Sequence, residues 1–185
     1  LVTGAAAGLG YGASVGRLVE EDCHRIPTEG ELEERLAAAA ASAGPESARD
    51  AAAAADLLAL LRESGIEPGD VPVAHPWKSY SVQAAAFRRG VPLTGHPMIG
   101  HDIIYTHPFN CCAAIGRAAE RDFLRFAGQV ADLRDGVYLS VGSAVMSPMI
   151  FEKSLSMGQN LALQSNRRIA GHTLVVVDLA ESNWD

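Results

Sequence analysis

VYLSVGSAVMSP, residues 137–148, is the stretch on which the predicted fold depends. Its first five residues have the apolar character of a strand in an α/β sheet, and Gly142 and Ser143 end that strand in a turn. Ser147 is predicted to cap the helix that follows, with Pro148 in the first turn. Backbone N–H groups and the positive end of such a helix suit phosphate or another anion. We therefore expect Gly142, Ser143 and Ser147 to contact a ligand, with an ordinary strand-to-helix turn as the alternative.

A second stretch, GHPMIGHDIIYTHP at residues 95–108, contains three histidines and an aspartate. It follows a predicted strand and would therefore cross the edge of the sheet where ligands bind. We expect Thr94, Gly100 and Asp102 to contact ligand, and Asp102 and His107 to face a pocket. Imidazole and carboxylate groups could also hold zinc or iron, but their spacings match no compact zinc motif, so no metal is predicted.

Short apolar runs alternate with helical patterns after residue 65, which predicts an α/β domain with a mostly parallel sheet. The predicted strands are 71–74, 91–94, 137–141 and 173–177. The predicted helices are 11–25, 29–43, 46–64, 77–89 and 110–133, with one more beginning near Ser147. The strand TLVVV at 173–177 is continuously apolar, as is typical of a strand buried on both faces. Asp178 follows it at the carboxyl end and is a further ligand-binding candidate, together with Glu181, Asn183 and Asp185.

The whole chain, residues 1–185, is expected to form one α/β domain with a doubly wound, Rossmann-like fold. Residues 1–65 would be its mainly helical part and residues 66–185 its alternating part. The length of 185 residues suits a single domain, and 48% apolar residues are enough for a core. The sequence starts Leu-Val-Thr-Gly without a methionine, so we expect it to be a fragment of a longer chain. The charges at 120–122 and Arg125 are expected to be solvated on a helix face.

Composition excludes several classes of function. A net charge of −7 argues against nucleic acid as the main partner, because phosphate contacts need a basic surface. No apolar run reaches the length of a membrane span, and the start lacks the features of a signal peptide. Cys23, Cys111 and Cys112 are odd in number and lack metal-like spacing, which fits reduced thiols in the cytoplasm. We expect a cytoplasmic homo-oligomer that binds a small molecule.

The N-terminal TGAAAGLG at residues 3–10 resembles the cofactor loop of short-chain dehydrogenases. That family pairs a tyrosine with a lysine four residues later, and the lysine lowers the pKa of the phenol for proton transfer. The two lysines here are Lys78 and Lys153, and the residues four positions earlier are Ala74 and Met149. Because the pair is absent, a glycine-rich turn into a helix is favoured, and a dehydrogenase is kept as an alternative.

Residues 90–185 together resemble the C-terminal half of deoxyhypusine synthase and its relatives. The resemblance rests on GVPLTGHP at 90–97 followed by IGHDIIYTH at 99–107, on the strand and small-residue turn at 139–147, and on VDLAESNWD at 177–185. It implies an NAD-binding, doubly wound fold. It also implies a transferase or redox enzyme that acts on an amine-bearing or other small polar substrate.

The resemblance places the family's catalytic lysine directly after the glycine-rich turn. Residues 146–148 hold that position here, and Lys153 follows one to two helical turns later. His107 and Lys153 are the catalytic candidates, without an assigned role. Lys153 is predicted not to form an imine, because the adjacent Glu152 favours its charged form and its long side chain can reach water. A non-catalytic binding subunit is a further alternative.

Overall fold

The computed structural model describes residues 1–42, 44–143 and 145–179. The chain divides into two compact units, Leu1–Phe123 and Leu124–Asp185. The helices are α1 (Val2–Ala6), α2 (Tyr11–Glu21), α3 (Glu29–Ala40), α4 (Pro45–Ser64), α5 (Val82–Arg89), α6 (Cys112–Ala131) and α7 (Met146–Gln164). The strands are β1 (Cys23–Ile26), β2 (Gly69–Pro72), β3 (Val137–Val141) and β4 (Thr173–Val177), and short 3-10 helices form at Lys78–Tyr80 and Ile103–Thr106.

The predicted doubly wound, mostly parallel sheet is wrong. β1 and β2 pair antiparallel in one two-stranded sheet, and β3 and β4 pair parallel in another. No sheet larger than these occurs in the described parts of the chain. The fold class is α/β by content, but the four predicted strands do not share a sheet.

The predicted strand at 91–94 is a loop. Pro92 has no N–H to donate to a strand neighbour. Instead the segment crosses the start of α2, where Leu93 lies so close to Gly12 that a side chain at Gly12 would overlap its carbonyl group. Close contact with a helix therefore replaces sheet pairing in this segment.

β1 falls where a helix over 11–25 is predicted. α2 ends earlier, at Glu21, because Asp22 adopts the left-handed conformation with φ 51°. The Asp22 carboxylate accepts hydrogen bonds from Lys78 Nζ at 2.6 Å and from the His75 N–H at 3.0 Å. The turn is thereby fixed, and the next four residues pair with β2.

The helical part of the first unit follows its local sequence signals. Thr28 and Glu31 form a capping box at the start of α3, and Pro45 occupies the first turn of α4, which ends at Gly65 with φ 63°. The main core of this unit comprises Ala6, Ile26, Leu32, Ala54, Leu57, Leu58 and Leu61. Its members come from α1, β1, α3 and α4, so the first strand is anchored to the helices by Ile26.

The second unit has an aromatic core beneath its parallel strands. The Tyr138 ring on β3 stacks on Phe151 of α7 with centroids 4.3 Å apart, and Phe126 approaches Tyr138 edge-on at 6.3 Å. Gln159 of α7 holds the segment before β4, since its Oε1 accepts from the Ile169 N–H at 2.7 Å. β4 is exposed along its whole length, so the expectation that TLVVV is buried on both faces is wrong. None of the described helices has the length and apolar character needed to cross a membrane.

Asp122 on α6 is the buried charge that organises the first unit. It is 1% exposed, and its Oδ2 accepts from the Gly12 N–H and the Gly95 N–H, both at 2.8 Å. α2 has no side-chain cap from its own N-cap residue, Gly10, so the Asp122 carboxylate serves as its cap. The expectation that Asp122 is solvated is therefore wrong.

Replacing Asp122 is expected to destabilise the protein strongly. Asp122→Ala leaves two buried N–H groups without an acceptor, so the free energy of unfolding should fall by about 3 kcal/mol. Chemical denaturation of both proteins measures it. Asp50→Ala, an exposed position on α4, is the control and should change stability by no more than about 0.5 kcal/mol. Equal losses in the two variants would contradict the role given to Asp122.

His24 on β1 is half-buried and hydrogen-bonded to a hydroxyl group. Its Nε2 lies 2.7 Å from Thr3 Oγ1. Burial lowers the pKa of His24 below its ordinary value, because the charged imidazolium loses hydration. In the unfolded chain the same group has a pKa of about 6.5. Below that pH the unfolded state binds more protons than the folded state, so stability should fall as the pH falls.

The pH dependence of stability is expected to depend on this histidine. An ordinary imidazole titrates over roughly pH 5.5 to 7.5. As the pH is lowered across this range, the melting temperature of the wild type should fall further than that of His24→Gln. Thermal melts across this range, monitored by circular dichroism, provide the measurement. His101→Gln, at an exposed position, should keep the wild-type profile. Parallel profiles for the wild type and His24→Gln would refute the prediction.

Candidate functional site

The carboxyl ends of β3 and β4 lie side by side in the second unit. The strands pair in register from Val137 with Thr173 to Val141 with Val177. The Gly142 N–H then donates to the Val177 carbonyl at 2.8 Å, so Gly142 and Asp178 follow neighbouring strand ends. This is the edge of a parallel sheet at which ligands bind.

Gly142 makes the turn between β3 and α7 possible. Its φ of 69° lies in the left-handed region, which a residue with a side chain adopts at a cost of about 1 kcal/mol or more. The Ser140 hydroxyl donates to the Ser143 carbonyl at 3.0 Å and holds the turn from inside the strand. The glycine and the serine at the end of β3 thus form one tight turn.

The start of α7 differs from the prediction. The helix begins at Met146, and Ser147 lies in its first turn rather than at its cap. Ser143 Oγ accepts the hydrogen bond of the Ser147 N–H at 3.1 Å, so the capping function falls to Ser143. The Ser147 hydroxyl is itself hydrogen-bonded to the Tyr138 hydroxyl, which ties the helix start to the strand beside it.

These residues can serve two chemical tasks. The first turn of α7 carries the positive end of a 19-residue helix, which attracts an anion. Asp178 is exposed on the neighbouring strand end, and a carboxylate there can accept hydrogen bonds from hydroxyl groups of a ligand. Its Oδ1 accepts from the Leu179 N–H at 2.7 Å, which fixes its position. Glu181, Asn183 and Asp185 lie outside the described residues.

The other predicted ligand contacts lie in a loop of the first unit. Thr94 Oγ1 is 2.9 Å from His96 Nε2, and the Asp102 carboxylate accepts from the Met98 N–H at 2.7 Å. Gly100 is a turn glycine with φ 88°. The hydrogen bond between the Met98 N–H and the Asp102 carboxylate closes the loop to which both residues belong. These residues do not follow the end of a strand, which is the position predicted for them.

His107 lies on an open cleft of about 520 Å³ in the same unit. Its Nδ1 accepts from the Phe109 N–H at 3.1 Å, and the two rings are 5.3 Å apart. Asn110 and Cys111 line the cleft with it, among largely apolar side chains, and Asp102 does not. Of the two residues predicted to face a pocket, Asp102 and His107, only His107 lines this cleft.

Neither a metal ligand set nor a catalytic lysine is evident in the described chain. No group of three or more histidine, cysteine, aspartate or glutamate side chains within the described ranges is placed to hold a metal ion. Lys153 is 64% exposed on α7, and its Nζ lies 3.2 Å from Glu152 Oε1. An exposed amine paired with a carboxylate lacks the burial or the neighbouring cation that activates a nucleophilic lysine.

The glycine-rich N-terminal segment does not have the surroundings of a dinucleotide loop. The first half of the segment forms a short helix, α1, instead of the loop of such a motif. The backbone N–H at the start of α2, which would contact a cofactor phosphate in that motif, donates to Asp122 instead. Sequence reasoning missed this residue, although Asp122 follows Ala118 by four positions and Ile115 by seven, which places it on the buried face of α6.

Comparisons with protein-family models, with curated proteins and with solved structures find no match to this chain.

Proposed function

We propose that the protein binds NAD or a related nucleotide at the carboxyl edge of β3 and β4. The observation that carries the proposal is the hydrogen bond from the Gly142 N–H to the Val177 carbonyl, 2.8 Å long. It sets the Gly-Ser turn before α7 next to the strand end that bears Asp178. An anion site and a hydroxyl acceptor on adjacent parallel strands are the two groups that a nucleotide requires.

Each part of the nucleotide has an assigned partner in this proposal. The phosphate lies at Ser143 and the first turn of α7, where the helix end favours negative charge. A ribose hydroxyl donates to Asp178, which stands apart from the phosphate on the neighbouring strand. The resemblance to deoxyhypusine synthase supports NAD as the nucleotide, and a small polar or amine-bearing molecule as its co-substrate.

The exposed Lys153 supports a role that does not use imine chemistry. A transferase or redox enzyme of this kind would need a residue other than Lys153 for catalysis, since Lys153 is exposed and paired with Glu152. The alternative is a nucleotide-binding subunit without catalysis. The free thiols of Cys23, Cys111 and Cys112 support a cytoplasmic location.

Nucleotide binding can be tested by calorimetry on the full chain. Titration with NAD should release or absorb heat, and Asp178→Asn should weaken binding about tenfold, because one charge-assisted hydrogen bond is lost. Ser143→Ala should weaken it as well, because the phosphate loses the Ser143 hydroxyl as a donor. Asp70→Asn, at an exposed position on β2, is the matched control and should keep the wild-type Kd.

Two results would count against the nucleotide site. The first is the absence of heat with NAD, NADP and adenine nucleotides alike. The second is binding that is equal in the wild type and Asp178→Asn. In either case the strand edge would be an ordinary strand-to-helix turn.

We also propose that the protein assembles as a homo-oligomer through one face of β3 and β4. Register places Val137, Leu139 and Val141 on the same face as Val175 and Val177, and these five side chains are 39–65% exposed. We call this set the apolar β face. Parallel strands are normally covered on both faces, and on the opposite face Phe151 of α7 packs against Tyr138 of β3. A second copy presents an identical uncharged surface, so it is the occupant that this face suits best.

Assembly is expected to depend on Leu139. The wild type should sediment as a dimer or larger species, and Leu139→Glu should shift it toward the monomer, because a charge would be buried in the interface. Leu163→Glu, at a similarly exposed leucine of α7 outside the apolar β face, should leave the assembly intact. A monomeric wild type in sedimentation velocity would rule out this assembly.

A further inference from the structure

A cavity of about 220 Å³ in the first unit brings three arginines to the glycine-rich N-terminal segment. One wall is formed by residues of 3–9, including Thr3 and Gly4. The arginines are Arg17 of α2, Arg25 of β1 and Arg35 of α3. The segment that resembles a phosphate loop in the sequence therefore lines a pocket, although α2 directs its N-terminus to Asp122 instead.

The electrostatics of this cavity oppose those of the chain as a whole. The chain carries a net charge of −7, yet three guanidinium groups and a single carboxylate, Glu21, line the cavity. The three guanidinium groups outnumber their two carboxylate partners, Glu21 and Glu31, so the cavity keeps an excess of positive charge even when His24 is neutral, and burial lowers the pKa of His24 in that direction. A concentration of positive charge in a concave site raises the local concentration of anions.

The guanidinium groups keep donors available for a ligand. Arg17 pairs with Glu21 at 2.9 Å and Arg25 pairs with Glu31 at 3.2 Å, and both pairs are largely exposed to solvent. Exposed pairs of this kind contribute little and rearrange readily. Arg35 Nη2 donates to the Ala6 carbonyl at 2.5 Å, which fixes its position and leaves its remaining N–H groups.

We propose that this cavity binds the phosphate group of a small metabolite. A phosphate group suits the positive lining, and arginine presents a planar pair of N–H groups that fits phosphate oxygens. The volume lies below the roughly 300–1,000 Å³ of pockets for drug-sized ligands, so a phosphate monoester fits better than a dinucleotide. Thr3, Gly4 and Leu9 of the glycine-rich segment line the same cavity.

The test is isothermal titration calorimetry of the full chain with inorganic phosphate at constant ionic strength. Arg17→Gln and Arg25→Gln should each weaken phosphate binding about tenfold, because each removes a charge-assisted contact. Arg49→Gln is the matched control, since Arg49 also pairs with a glutamate one turn away on its helix, Glu46, but does not line the cavity. It should bind phosphate as the wild type does. Arg25 and Arg49 are exposed and Arg17 is only partly buried, so the variants should fold, and circular dichroism verifies it.

Several outcomes would overturn the assignment. They are the absence of phosphate binding by the wild type, equal binding by Arg17→Gln, Arg25→Gln and Arg49→Gln, and tighter binding of succinate than of phosphate. The last result would identify a dicarboxylate site instead. Asp178→Asn should leave this titration unchanged, so the cavity and the nucleotide site at β3 and β4 fail or succeed separately.

Discussion

The Asp122 carboxylate is the interaction on which the first unit depends. A charged group that is 1% exposed is costly unless it is hydrogen-bonded, and here one oxygen holds two backbone N–H groups from segments far apart in the sequence. The first of these groups belongs to α2 and the second to the loop that follows α5. Gly10 lies so close to Asp122 Oδ1 that a side chain there would overlap it, so this packing needs a glycine at position 10. The last glycine of the segment that looks like a cofactor motif thus has a structural explanation.

Local signals predicted the elements, and tertiary contacts decided how they pair. The capping box at Thr28 and the Pro45 and Gly65 boundaries act within one or two turns, so the sequence was sufficient to locate α3 and α4. β3 and β4 also have the predicted bounds and run parallel. β1 could not be separated from α2 by periodicity, because the break is a left-handed aspartate held by Lys78 and His75. Which strands pair likewise depends on the whole chain. The sequence therefore did not show that the strands form two sheets instead of the single predicted one.

The candidate site also contains residues that the sequence predicts and residues that it does not. The turn after β3 and the aspartate after β4 follow from the pattern of a strand that ends in small or acidic residues, and the structure sets them on adjacent strand ends. The capping role of Ser143 could not be inferred, since it requires the position of the helix start relative to the strand. The cavity lined by Arg17, Arg25 and Arg35 could not be predicted from the sequence either. Its arginines come from α2, β1 and α3, and nothing in their spacing indicates that they meet.

The exposed strand β4 has a consequence for solubility. TLVVV combines strong β-propensity with a lack of charge and proline, which is the composition of segments that stack between chains into cross-β aggregates. His172 and Asp178 flank it, and a charged residue next to such a segment acts as a gatekeeper, because stacked copies would place like charges in contact. The aspartate at this sheet edge therefore has a protective role that is independent of any ligand. Selection against aggregation would retain an acidic residue there even in a relative that binds nothing.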